Sequence, residues 1–346
     1  MAALESPTVR VSTDPRAFWA AWPHLLSQQP HPSPFTRPWW VRHVTQDTPA
    51  PLLIHDADGP VGGIALTSRR RLGVEVLRPA GHGVPCPDHV DLVALPGREQ
   101  DVAEAFGRWF ARPGARLLDL SGAPERSLAA AALGVAAQPV DVAPYEPLTR
   151  SFLATRSASF RRNVRRTEKR LADLGAQQWT ATSADVGAAL DAFEALHRDR
   201  PDRAPLLREM ARLRPAITEA VACGEARVDV LEVGGRPAAV SVAFLVAGRL
   251  ALYQLARSTE RHHDGAGTAL LVRVVERAAL EGCTEVDLLR GDEAYKSGFA
   301  THRRVLTRVR AAHGVRARAA LLGQVAARAA VRRLRRLRGR RGPAPA

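Results

Sequence analysis

Residues 287–304 read DLLRGDEAYKSGFATHRR, and they gather the residue types that group transfer requires. Asp287, Asp292 and Glu293 can accept a proton, the Tyr295 phenol can donate one, and the Lys296 ammonium can stabilise negative charge. The chain is dominated by arginine and nearly devoid of lysine, so Lys296 is conspicuous. The other residues have structural alternatives. Asp287 can pair with an arginine, Asp292 and Glu293 can favour a helix N-terminus, and Tyr295 can simply pack. Alternation along the strand sets the Asp287 side chain opposite those of Val286 and Leu288.

A second stretch, RHHDGAGTALL at 261–271, places Gly265, Ala266, Gly267 and Thr268 where a loop opens into a helix. Glycines there let backbone N–H groups approach a phosphate at the positive end of the helix dipole. Such turns also arise for conformational reasons alone, and Asp264 adds negative charge at the same place. His82, in RPAGHGVPCPDHVDL, sits in a Gly/Pro loop with Asp88 and Asp91 close behind. Loops of this kind line clefts, and the segment reads as acceptor-binding material. His197 ends a helix, where a structural hydrogen bond competes with base chemistry. Arg161 and Arg162 open a basic helix and suit bidentate phosphate contacts, or form part of a solvated face.

The elements that must hold these groups occur twice. Residues 51–79 and 228–256 each read as a meander of strands separated by turns rich in Gly, Pro or Arg. Each is followed by a helix and another strand: DVAEAFGRWF then ARLLDLSG, and TALLVRVVERAAL then TEVDLLRG. The helix from Thr268 to Leu280 buries Leu270, Leu271, Val274, Val275, Ala278 and Ala279 on one face and ends at Gly282. Ser157 or Ser159 can cap the basic helix that closes at Gly175, and Ser183 can cap the next one, which runs to about Arg198. Two prolines in APYEPLT, residues 143–149, are expected to interrupt regular structure and mark a boundary. The organisation expected is therefore α/β, with units at 1–147 and 148–313 and an Arg-rich helical tail at 314–346.

Composition narrows the class. At 346 residues with 46% hydrophobic and 25% charged residues, the chain reads as globular and long enough for two cores. No apolar run reaches the about 18–20 residues that span a bilayer, and the N-terminus lacks a secretory pattern. The three cysteines have no metal-ligand spacing, so no metal and a cytoplasmic location are expected. Ten arginines and no acid fall after residue 313, so most of the net charge of +15 belongs to the tail. The tail is either solvated or adheres to anionic lipid headgroups or RNA phosphates.

The meander, the Gly-opened helix and the following strand together resemble the acyl-CoA site of GNAT acetyltransferases. The usual loop motif has Arg or Gln first, where this chain has His262. GTALL and EGCTEVDLLRGDEAYKSGF, with SFRRNVRRTEKRLADLG and SPFTRPWWVRHV upstream, resemble the CelD-like family associated with cellulose biosynthesis. That family is similar in turn to the Fem-type peptidyltransferases, which use aminoacyl-tRNA. The resemblance covers most of residues 15–310 and implies tandem GNAT-like domains with a cleft between them. It implies acyl-CoA, with acetyl-CoA as one candidate, held by Gly265, Ala266, Gly267 and Thr268. It implies catalysis by Lys296, Tyr295, Asp287 and Glu293, with Arg161, Arg162, His197, His82 and Asp88 around the acceptor. The acceptor implied is a small amine or a phosphorylated sugar, with tRNA as donor carrier in the Fem-like alternative. A non-catalytic protein that binds anionic polysaccharide precursors or membrane lipid is the third class.

Overall fold

The computed structural model describes residues 9–324 and 326. The first half runs β1 (Arg10–Ser12), α1 (Pro15–Ser27), α2 (Pro38–Val44), β2 (Thr48–Pro49), β3 (Leu52–His55), β4 (Pro60–Ile64), β5 (Leu66–Arg71), β6 (Val74–Pro79), β7 (Val93–Ala94), α3 (Glu99–Phe110), β8 (Arg116–Pro124), α4 (Leu128–Ala132) and β9 (Gln138–Pro147). The second runs α5 (Ala158–Asp173), β10 (Gln177–Thr180), α6 (Val186–Arg198), α7 (Ala204–Ala222), β11 (Ala226–Val233), β12 (Arg236–Val246), β13 (Arg249–Arg257), α8 (Ala266–Leu280), β14 (Glu285–Asp287) and β15 (His302–His313). Local chemistry sets many of these limits. Asp14 accepts the Arg16 N–H at 2.9 Å to start α1, and Ser157 accepts the Phe160 N–H at 3.2 Å to start α5.

Eleven strands form one mixed sheet in the order β10-β11-β12-β13-β14-β9-β15-β8-β6-β5-β2, and β1-β3-β4-β7 form a second. The centre of the large sheet is palindromic. β13 and β14 are parallel, as are β6 and β8, while β9 and β15 lie antiparallel between the two pairs. Each half's last strand therefore crosses over: β9 pairs with β14, and β15 pairs with β8. The cores of the halves match, with β6-α3-β8-β9 corresponding to β13-α8-β14-β15, while β7 and α4 of the first half have no counterpart strand or α-helix among the described residues. They are tandem versions of one α/β unit joined by strand exchange.

The halves also share a core. Phe35, Trp39 and Trp40 of the first half pack against Phe244 and Tyr253 of the second, with ring centroids 4.9 to 6.0 Å apart. Trp39 donates its indole N–H to Glu225 at 2.6 Å, and Arg37 pairs with the same carboxylate.

Three local expectations change. The 143–149 prolines do not end regular structure, because β9 runs through Pro139 and Pro144 to Pro147. Pro144 needs no donor there; its carbonyl accepts the Leu288 N–H at 2.8 Å. The strand expected over TEVDLLRG is only Glu285–Asp287, since Leu289 adopts a φ of 55° and turns the chain away. α6 begins after Asp185 rather than at a Ser183 cap, with Asp185 accepting the Thr182 N–H at 2.5 Å. A helix begins after Gly314 and buries Ala317 against Val74 and Leu117; the Arg-rich stretch of the expected tail lies outside the described residues. No helix among the described residues is long and apolar enough to cross a membrane.

Candidate active site

β13 and β14 pair over only three positions, ending at Ala251 and Asp287. Beyond them β13 continues to Arg257 while the chain after β14 turns off, and a cleft of about 530 Å³ opens between the diverging strands. Leu252 to Leu255 form one wall and Leu288 to Arg290 the other, with Gly265, Gly267 and Thr268 at one end and Glu293, Tyr295 and Lys296 at another. Register with β12 steps from Gln254 to Leu252, so Tyr253 is the extra residue of a β-bulge. A bulge takes backbone groups out of the ladder, here on the cleft wall.

The α8 end of the cleft suits a phosphate. Gly265 precedes the helix at φ 81°, no side chain caps it, and the first turn contains no acid. Its leading N–H groups therefore lack intrahelical partners. A Cβ on Gly265, at positive φ, would lie 2.8 Å from Thr167, so that glycine is required; one on Gly267 would lie 3.1 Å from the end of the Leu255 side chain, a tight fit that a small shift of Leu255 relieves. Arg170 of α5 donates to the His262 carbonyl at 2.7 Å and also to that of Asp264, fixing the turn from outside. Arg166, Arg170 and Arg261 line an adjoining hollow of about 450 Å³. Gly265, Gly267 and Thr268 line this end of the cleft, and Ala266 is buried behind the turn rather than lining it. On the same turn, Glu260, His262 and His263 bring ligand-type atoms within 4.8 Å of one another.

Lys296 is buried, with only 4% of its surface exposed. Its ammonium donates to the carbonyls of Leu289 at 3.2 Å, Arg290 at 2.7 Å and Gly291 at 3.3 Å, and lies 2.9 Å from a Glu293 carboxylate oxygen. Three N–H bonds are shared among four acceptors, so in this structure Lys296 clamps the loop that forms one cleft wall. Acting directly on substrate charge would require release of one of these bonds. Glu293 keeps its side chain largely in solvent at the cleft. Tyr295 is half-exposed, and partial burial, assisted by Glu293, pushes the phenol up to about 12. It remains protonated at neutral pH.

Asp287 faces away from this cleft. It lies 3.0 Å from both His89 and Arg249 and accepts the Leu289 N–H at 2.7 Å. Burial alone would raise its pKa, but His89 and Arg249 outweigh this and hold it down at about 2. The pairing and turn-forming alternative is thus what the geometry provides. Asp88 is likewise buried and accepts from the Arg290 backbone at 2.8 Å and its guanidinium at 2.6 Å. Together with the Tyr253 hydroxyl donating to the Pro85 carbonyl at 3.1 Å, these bonds tie residues 85–89 of the first half into the second. Gly122 permits this strap: a Cβ there would lie 2.4 Å from the Pro87 carbonyl oxygen.

His82 stands in a separate hollow of the first half, 3.0 Å from Asp47. Arg161 bonds the Ala154 carbonyl at 3.1 Å, whereas Arg162 is exposed with no bond; it is the later turns of α5 that approach the Gly265 loop. Residues absent from the sequence-based set also line the cleft: Cys86, Arg200, Arg203, Tyr253, Arg257 and Arg290. Arg290 ends the predicted strand and was visible as a charge, but its partner lies 202 residues away.

His197 is fully buried, packs edge-on to Phe193 at 4.7 Å, and has no hydrogen-bond partner at either ring nitrogen among the described residues. Burial, with Arg203 and Arg200 nearby, lowers its pKa from 6.5 to about 4. The folded state therefore binds fewer protons than the unfolded state between these values. Stability is fully present above pH 6.5 and falls by about 3 kcal/mol as pH drops to 4. Urea denaturation of wild type and His197→Leu at several pH values checks this: the wild-type curve should fall more steeply over that window, and parallel curves would contradict it.

Residues 158–297 match the family described as Acetyltransferase (GNAT) domain. No curated protein matches the chain. Among solved structures, FemX superposes with a TM-score of 0.60 at 9% identity, over 82% of this chain and 94% of that one. The C-terminal domain of a putative lysylphosphatidylglycerol synthetase from Agrobacterium fabrum gives 0.55 at 13% identity, over 89% and 95%. L-PGS from Bacillus licheniformis gives 0.55 at 11% identity, over 87% and 92%. The stretch from α5 to the Lys296 loop thus matches a GNAT domain, and the chain as a whole shares the fold of these solved structures.

Proposed function

We propose that the protein is an N-acyltransferase that moves an acyl group from acyl-CoA to the amine of a small acceptor, such as an amino sugar or a cell-envelope or natural-product precursor. The observation that carries this reading is the cleft between β13 and β14, which runs from the unpartnered N-terminus of α8 to an acid, a phenol and a buried ammonium. The bound co-substrate supplies an activated carbonyl. The chain contributes the rest. The α8 N–H groups bind phosphate, and the Tyr253 bulge offers backbone donors to a carbonyl oxygen. Glu293 takes the proton of the incoming ammonium, and Tyr295 gives one to the leaving group. Lys296 and Asp287 position the 289–291 loop between them.

A second reading keeps the same cleft but takes the acyl group from aminoacyl-tRNA. It is supported by the Arg166, Arg170 and Arg261 surface beside the Gly265 turn and by the likeness in fold to FemX. Native mass spectrometry with acetyl-CoA and longer acyl-CoAs, with aminoacyl-tRNA as competitor, separates the two. Wild type should retain one CoA thioester. Gly265→Val should weaken that binding at least about tenfold, because a branched side chain is strained at positive φ and would collide with Thr167. Retention of tRNA without any CoA thioester would favour the second reading. Retention of neither would remove both.

A further inference from the structure

The first half has its own version of the donor cleft, and its chemistry differs. β6 and β8 pair over three positions ending at Leu77 and Leu118, then separate just as β13 and β14 do. The gap is a hollow of about 260 Å³ lined in part by Arg78, His82, Cys86, Asp119, Arg290 and Arg308. It is poorly suited to a second donor. α3, the counterpart of α8, carries Glu99 and Asp101 in its first turn, where negative charge opposes an incoming phosphate; α8 carries no acid there.

The hollow nevertheless favours an anion. Arg308 is held by Asp119 through two bonds of 2.6 Å, and Arg290 by Asp88 at 2.6 Å. His82 stands 3.0 Å from Asp47. Asp141 adds negative charge near Arg290 and Cys86, but Arg78 has no carboxylate within salt-bridge distance among the described residues, so its guanidinium is left without a direct partner in a partly enclosed space. Such a group recognises phosphate or carboxylate through charge-assisted, bidentate bonds. Cys86 and Arg290 line both this hollow and the donor cleft, so the two spaces share a wall.

We propose that this hollow is the acceptor subsite and that the acceptor amine carries a phosphate or carboxylate bound by Arg78. The inference rests on the donor reading for its direction of transfer, and its test is separable from that reading. Crystals of the full chain soaked in tungstate locate a heavy anion, and titrations with inorganic phosphate and with acetate compare wild type, Arg78→Ala, Arg78→Lys and Gly265→Val. Tungstate should appear beside Arg78. Affinity for phosphate or acetate at the hollow should fall at least about tenfold in Arg78→Ala and recover largely in Arg78→Lys, whereas Gly265→Val should lose only the anion bound at the α8 N-terminus and keep tungstate beside Arg78. A preference for phosphate identifies a phosphorylated acceptor, and a preference for acetate a carboxylated one. Unchanged affinities in Arg78→Ala, or tungstate only at the α8 N-terminus, would overturn the proposal even with acyl-CoA binding intact. If Gly265→Val still retains acyl-CoA while Arg78→Ala loses the anion, the donor reading fails and the anion subsite stands.

Discussion

Lys296→Met is expected to lower kcat/KM at least about 100-fold and to destabilise the fold by about 3 kcal/mol. The methionine chain can fill much of the volume, but it leaves the Leu289, Arg290 and Gly291 carbonyls without their shared donor. It also leaves Glu293 without its cation. Those carbonyls belong to the wall that faces β13, so their relaxation displaces the groups that must meet the substrate. Glu293→Gln separates positioning from proton transfer. It keeps the carbonyl clamp, so urea stability should change little, while kcat falls and its pH dependence alters. A Lys296→Met enzyme with wild-type kcat/KM, or with unchanged stability, would remove the clamp from the mechanism. Equal loss of stability in both variants would show instead that the Glu293 pair is what holds the loop.

The elements around this clamp were legible where the signal is local. α8 reads from its apolar stripe and closing glycine, and the meanders read from alternation and turns, because burial on one face imposes a period on the sequence. The Gly265 turn was visible for the same reason: only a few residue types accept its backbone. Strand exchange left no such trace. β15 carries an ordinary strand pattern whichever half it joins, the prolines of β9 hide its strand altogether, and the pairing of the two is decided by contacts distant in sequence. The strap at 85–89 was legible as a loop, but its union with Arg290 and Asp287 was not. Asp287 illustrates the limit well. Alternation correctly set its side chain opposite Val286 and Leu288, both of which pack into the core around α8. It could not say that the other face holds Arg249 and His89 rather than substrate.

That placement makes Asp287→Asn the more demanding test of how the cleft is built. The carboxylate is 1% exposed and compensates Arg249, itself 9% exposed, while receiving the Leu289 N–H that turns the chain out of β14. Asparagine retains an acceptor for that N–H but leaves the buried guanidinium short of charge, with Glu285 as its remaining carboxylate partner at 2.8 Å. A loss of about 3 kcal/mol is expected at neutral pH. Because the folded pKa lies at about 2, below the ordinary 3.8, this contribution is present above pH 3.8 and disappears as pH falls through 2. The gap between wild type and Asp287→Asn in urea should therefore narrow by about 2 kcal/mol as pH falls from above 3.8 to below 2. If Asp287 instead served as a base for the acceptor amine, the variant would lose kcat while keeping most of its stability, and the gap would not depend on pH. The geometry argues for the first outcome, since the carboxylate lies on the far side of the wall that Lys296 braces.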